Sequence, residues 1–158
     1  MIELVITNKK GESFTVLYDE CDKDIVENNK WCLAKRNCTI YLKRRKGDKF
    51  VLLHREILGL TSGVLCDHED GNGLNNQRNN LRASTYSQNN ANRKSSKISQ
   101  SKYLGVSFDK RWRKWVVHIR KDKLTTLVGA FDMEQDAALA YNEAAIIKHG
   151  AFAKLNKV

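Results

Sequence analysis

From Asp67 to Asn90 the chain reads Asp-His-Glu-Asp-Gly-Asn-Gly-Leu-Asn-Asn-Gln-Arg-Asn-Asn-Leu-Arg-Ala-Ser-Thr-Tyr-Ser-Gln-Asn-Asn, with Leu74, Leu81, Ala83 and Tyr86 as its apolar side chains. A stretch this polar cannot fold around a core of its own, so neighbouring elements must pin its two ends. The stretch itself offers a carboxylate (Asp67), an imidazole (His68) and two carboxamides (Asn80 and Asn89). That set suits a hard divalent cation beside a proton acceptor.

Charge narrows the class of partner. The chain of 158 residues carries a formal net charge of +10. Residues 1–60 hold 12 basic and 9 acidic side chains, residues 61–101 hold 5 and 3, and residues 102–158 hold 11 and 6, so half the excess lies in the last third. A polyanion is the expected partner, bound in a salt-dependent way. No apolar run approaches membrane length, and Met1-Ile2-Glu3-Leu4-Val5 lacks the basic start of a secretion signal. Cys21, Cys32, Cys38 and Cys66 form no Cys-x-x-Cys pair, which argues against a zinc knuckle or a disulfide framework. A reducing, cytoplasmic setting is expected, with all four packed as small apolar residues.

Before the polar stretch, Ser13 to Tyr18 reads as a strand, and Asp19 to Asn29 as a turn and short helix. Trp31 to Lys35 and Cys38 to Arg44 read as a hairpin around Arg36-Asn37. The basic run Lys43-Arg44-Arg45-Lys46 follows, either solvated or on a phosphate backbone. Phe50 to Leu53 is a strand, and His54 to Gly59 a short helix ended by glycine. His54 reads as a packed residue, and Arg55 as a side chain within reach of a phosphate. His118 and His149 lie far from any carboxylate partner and do not compete with His68.

After Asn90 comes a Ser-rich basic tether that includes Arg93 and Lys94, expected to follow DNA between two modules. Tyr103 to Phe108, Trp115 to Arg120 and Leu124 to Gly129 then read as three strands. Asp132 with Gln135 looks like the start of a helix. Its inward stripe is Ala137, Ala138, Tyr141, Ala144, Ala145 and Ile147, and Gly150 ends it. Period two along the middle strand sends Trp115, Val117 and Ile119 to the helix and Val116, His118 and Arg120 to the open face.

Two resemblances sharpen this. Asp67-His68, Asn80-Leu81 and Asn89, with Asn89 nine residues after Asn80, resemble the motif of the HNH nucleases, in which two strands and a helix surround one metal ion. The resemblance implies that Asp67 and Asn89 bind one divalent ion, Mg²⁺ first and Mn²⁺ second. It also implies that His68 is the general base and that Asn80 positions it. Residues 1–60 resemble the scaffold of phage-type members.

Residues 103–156, through Tyr-x-Gly-Val, Trp-x-x-x-Ile-Arg, Gly-x-Phe-Asp, Ala-Ala-x-Ala-Tyr and Ala-Lys-Leu-Asn, resemble the plant ethylene-response-factor (APETALA-type) DNA-binding domain. That implies a sheet in the major groove with Arg120 and His118 facing bases. Arg111, Arg113, Lys114 and Lys123, on the turns, would face phosphates. Leu104, Ser107, Thr125 and Leu127 stand where that family usually has arginines or a tryptophan, so the plant target sequence is not implied.

The expected fold class is therefore α+β. A ββα-metal nuclease domain (1–93, with a β-rich scaffold over 1–60 and the motif over 61–93) leads through a linker (94–101) to a three-stranded antiparallel sheet on one helix (102–158). The expected activity is a metal-dependent DNA endonuclease of the homing type, nicking double-stranded DNA as a monomer and leaving 5′ phosphate and 3′ hydroxyl ends. No membrane and no obligate protein partner is implied, and the setting is a phage or bacterial host cell. The alternative is a non-catalytic, sequence-specific DNA-binding regulator on a nuclease-derived scaffold.

Overall fold

The computed structural model describes residues 1–36, 39–92 and 100–158. Asn37 and Cys38 of the expected hairpin turn, and Arg93 and Lys94 of the expected DNA-tracking tether, lie outside the described residues. The chain is mixed α and β, built from small antiparallel sheets and few helices, and divides into two compact units, Met1–Thr85 and Tyr86–Val158. None of its described helices is long and apolar enough to cross a membrane.

The first unit opens with β1 (Ile2–Thr7) and β2 (Ser13–Tyr18), paired from Ile2↔Tyr18 to Thr7↔Ser13. Along β1 the half-buried Ile2, Leu4 and Ile6 alternate with exposed side chains, the period of a strand with one covered face. A 3₁₀ turn (Glu20–Asp22) leads into α1 (Lys23–Glu27). Strands β3 (Cys32–Arg36), β4 (Thr39–Lys46) and β5 (Lys49–Leu52) make a meander, and α2 (Leu53–Ile57) follows directly. Strands β6 (Leu65–His68) and β7 (Leu81–Ser84) pair antiparallel, with His68 opposite Leu81.

One core joins these pieces: Val16, Tyr18, Val26, Trp31, Leu42, Leu53, Ile57 and Leu81. Full burial of side chains such as Leu42 and Leu53 stabilises the fold by about 1.5–3 kcal/mol each. Trp31 sits in this core ahead of its strand, its indole N–H donating to the Val26 carbonyl at 3.0 Å. Of the basic run on β4, Arg44 and Lys46 pair with Glu56 of α2 and fasten helix to sheet. Lys43 lies over the exposed Phe50 ring, 4.6 Å from its centroid. Arg55, expected to reach a phosphate, instead donates to the carbonyls of Thr61 and Val64. Cys21 and Cys32 are exposed rather than packed, and Cys66 is half-buried.

In the second unit α3 (Tyr86–Ala91) comes first, then β8 (Val106–Asp109), β9 (Lys114–Lys121), β10 (Leu124–Phe131) and α4 (Glu134–His149). The compact division falls before α3. With no buried residue, α3 adds nothing to a core. Strand order is β10-β9-β8, all antiparallel, and α4 packs on one face. The β9–β10 connection is Asp122-Lys123, both at positive φ (50° and 69°), the two-residue turn whose twist matches a hairpin.

Gly105, at φ 70°, explains why Tyr-x-Gly-Val and Ala-Ala-x-Ala-Tyr occur together. A Cβ there would stand 2.2 Å from the Tyr141 ring of α4 and 2.7 Å from the His118 carbonyl. Gly105→Ala should therefore destabilise this unit by about 1–3 kcal/mol through overpacking, read as a shift of its thermal or urea midpoint. The end of the chain is tied down by Asn156, whose carboxamide bridges the N–H (2.7 Å) and carbonyl (3.2 Å) of Leu104.

Three expectations for this unit fail. Ile147 is 84% exposed, because it lies off the stripe of Ala137, Ala138, Tyr141 and Ala145 at 100° per residue. Val116 is buried rather than open, flanked by Ser107 and Ala130. Asp132 does not cap α4: Met133 is the N-cap residue, and Asp132 pairs with Lys114 at 3.3 Å.

Candidate active site

Twelve residues connect β6 to β7, and the first unit fixes them from several sides. The loop lies along β2: Leu17 N–H donates to the Leu74 carbonyl (2.9 Å), and Asn76 N–H donates to the Leu17 carbonyl (2.7 Å). Asp19 accepts from the Arg78 N–H (2.8 Å) and from the Gln77 amide (3.4 Å). The Arg78 guanidinium grips the fully buried Asp22 carboxylate through two bonds (2.7 and 2.9 Å) and also donates to the Ile57 carbonyl. Within the loop, carboxylate and carboxamide oxygens cap backbone N–H groups two residues on, as Asp70 does for Asn72 and Asn72 for Leu74.

Asn80 closes the loop. It is 8% exposed, and its amide donates to the Asp70 carboxylate (3.1 Å) and the Asn75 carbonyl (2.8 Å). Its side-chain oxygen accepts from the Asp70 N–H (3.0 Å) and its carbonyl from the Glu69 N–H (2.9 Å). Burial alone would raise the Asp70 carboxyl. Hydrogen bonds from Asn72, Asn75 and Asn80 outweigh it and hold the group below the usual carboxylate range. Its contribution to loop stability is therefore present above the ordinary carboxylate range and is lost on acidification through its lowered value.

Asp67 and His68 end β6, both buried. Asp67 faces Arg82 across the ladder, and the guanidinium contacts its carboxylate through Nε (2.9 Å) and Nη2 (2.8 Å). Arg82 also reaches towards Glu69 at 3.7 Å. A positive group thus already rests on the Asp67 carboxylate. A carboxylate oxygen of this kind is the hard ligand a divalent ion takes. Among the described residues no group of three or more His, Cys, Asp or Glu side chains is arranged to hold a metal.

The His68 ring packs against two others, His54 of α2 and Tyr41 of β4. Burial lowers the His68 pKa, and the Asn76 side chain with the charges of Asp70 and Asp67 acts in the opposite sense. The ring is therefore neutral near neutral pH, the state in which it accepts a proton.

Asp67, His68 and Asn80 lie together at one end of the β6–β7 ladder. Asn89 is on α3, exposed, in the other unit. In that unit His118 and Arg120 stand exposed on the open face of β9. Arg111, Arg113 and Lys123 are exposed on the two turns, and Lys114 is half-buried in its pair with Asp132. Sequence reasoning passes over Asn76, Tyr41 and Arg82. Asn76 is one of a string of near-identical asparagines, and only burial singles it out. Tyr41 is distant in sequence. Arg82 falls in the ladder position opposite Asp67, a register that sequence spacing alone does not fix.

Compared with known proteins, the chain is 32% identical over 140 residues to an uncharacterized HNH endonuclease of Acanthamoeba polyphaga mimivirus, a match covering 85% of this chain and 70% of the relative. No protein-family model matches the chain. No solved structure matches it either.

Proposed function

Because the chain belongs to the HNH endonuclease family, we propose that it is a divalent-metal-dependent, site-selective DNA endonuclease of the homing type, nicking one strand as a monomer. The observation that carries this is the buried His68 imidazole beside the Asp67 carboxylate, under a loop latched by Asn80. We read β6 and β7 as the strands of the family's metal-binding motif. Asp67, and Asn89 on motif spacing alone, would hold the ion, most simply Mg²⁺. When bound, such an ion stabilises charge on the phosphate and on the leaving 3′ oxygen. His68 takes the proton of the attacking water. Asn80 holds the loop that follows the base, and Asn76 bears on the imidazole itself. Arg82 must yield or share Asp67 when the ion arrives.

The second unit supplies the address in this reading. An open sheet face bearing Arg120 and His118, with basic turns beside it, supports docking in a major groove as in the ethylene-response-factor domain. Arg120→Ala should relax sequence preference, costing about 1–3 kcal/mol of discrimination for one lost bidentate base contact. Target and scrambled duplexes titrated at several salt concentrations check this. Equal weakening on both would remove base reading from β9.

A DNA-binding regulator that does not cut has one observation in its favour, the ion pair of Asp67 with Arg82. Relaxation of supercoiled plasmid in Mg²⁺, compared with chelator and with Asp67→Ala, separates the two readings. An endonuclease gives nicked circles in Mg²⁺ alone, and Asp67→Ala needs more metal or fails. A regulator binds the plasmid and leaves it intact in every condition.

A further inference from the structure

His68 does not stand alone in its pocket. Its ring centroid is 4.9 Å from that of His54, with the two planes at 85°, and 5.7 Å from that of Tyr41. Tyr41 and His54 touch each other as well, at 5.4 Å and 63°. Three rings from three elements (β4, α2 and the end of β6) thus form a closed triangle, and both histidines are 5% exposed. Edge-to-face contacts of this kind fix ring orientation as well as burying area. Tyr41 also meets the loop backbone at Gly73, where a Cβ would lie 2.7 Å from the Tyr41 ring and 2.4 Å from the Ile40 carbonyl. The loop that Asn80 latches therefore seats on the same ring that packs against His68.

We propose that His54 and Tyr41 are positioning residues for His68, holding its imidazole in one orientation through ring packing rather than through proton transfer. This rests on His68 being the base. His54 suits the task electrically. Burial first, then the neighbouring charges of His68, Arg55 and Arg36, push its pKa down to about 3, so it adds no cation beside the base. Its ring contacts with both Tyr41 and His68 point to the ring as what matters. Reacting groups displaced by about 1 Å lose on the order of 10²-fold in rate, so an unsupported His68 rotor should show in turnover and not in DNA affinity.

The test pairs ring-deleting with ring-keeping variants of the full chain. His54→Ala and Tyr41→Ala should each lower kcat by roughly ten- to a hundredfold with DNA Kd unchanged, whereas His54→Phe and Tyr41→Phe should stay within about threefold of wild type. Circular dichroism and thermal melting confirm that each variant is folded. Should His54→Ala fail to fold, the Phe variants and Tyr41→Ala still decide.

A second readout needs neither metal nor cleavage. The His68 ring-proton NMR shifts of the metal-free protein should move when the His54 ring is removed and stay near wild type in His54→Phe. Folded Ala variants with full kcat would overturn the proposal. So would folded Phe variants as slow as the Ala variants, or His68 shifts indifferent to His54→Ala. A wild-type protein that cuts no DNA, with His68 shifts that respond as described, would instead overturn the nuclease reading on which the positioning role depends.

Discussion

His68→Ala should reduce cleavage by roughly 10²–10⁴-fold, the usual range for loss of a general base, while DNA affinity changes little. The reasoning is local. His68 is buried at the end of β6, neutral near neutral pH, and walled by His54, Tyr41 and Asn76. Nothing in that setting makes it a binding group for duplex phosphates, so its removal should leave encounter and docking intact. Single-turnover kinetics on a cleavable duplex, set beside a binding titration, measure both quantities. Cleavage within a few-fold of wild type would assign the base elsewhere.

The second large effect is on stability. Arg78→Ala should destabilise the first unit by about 3–5 kcal/mol, because it strands the fully buried Asp22 carboxylate without its guanidinium. The same change frees the loop from Ile57, whose carbonyl Arg78 also holds. For a unit of this size such a loss lowers the melting midpoint by about 12–40 °C. Asp22→Asn placed in the Arg78→Ala background should recover part of the loss, since a neutral amide is cheaper to bury than a lone carboxylate. A double-mutant cycle by urea denaturation gives the coupling. A loss below about 1 kcal/mol for Arg78→Ala would class the pair with ordinary surface ion pairs.

The strongest local patterns are legible in the amino-acid sequence. β2 from its β-branched and aromatic content, the β3–β4 hairpin, the short α2 and the three strands with α4 all stand near their expected places. β1 escapes that reading, although Ile2, Leu4 and Ile6 alternate as a half-covered strand should. Val116 and Ile147 show where period alone is too blunt. Val116 is covered on the face that alternation assigns to the open side, and Ile147 is apolar yet off the buried stripe.

At the site, the polar stretch declares its chemistry, and its need for outside anchors follows from composition. The anchors themselves do not. Asp19, Asp22 and Leu17 hold the loop from more than fifty residues away, and no local pattern marks them. His54 illustrates the limit most sharply. Its burial is foreseeable from its apolar neighbours, but the ring it packs against is not.

DNA hydrolysis at the His68 site with a divalent ion is the activity we propose. Incubating the purified protein with a duplex DNA library, with Mg²⁺ and with chelator, and sequencing every new end tests it most directly. The expected result is Mg²⁺-dependent single-strand breaks carrying 5′ phosphate and 3′ hydroxyl ends, clustered at a preferred sequence and absent with His68→Ala. Bound but uncut DNA under every divalent ion tried, or equal cutting by wild type and His68→Ala, would contradict it.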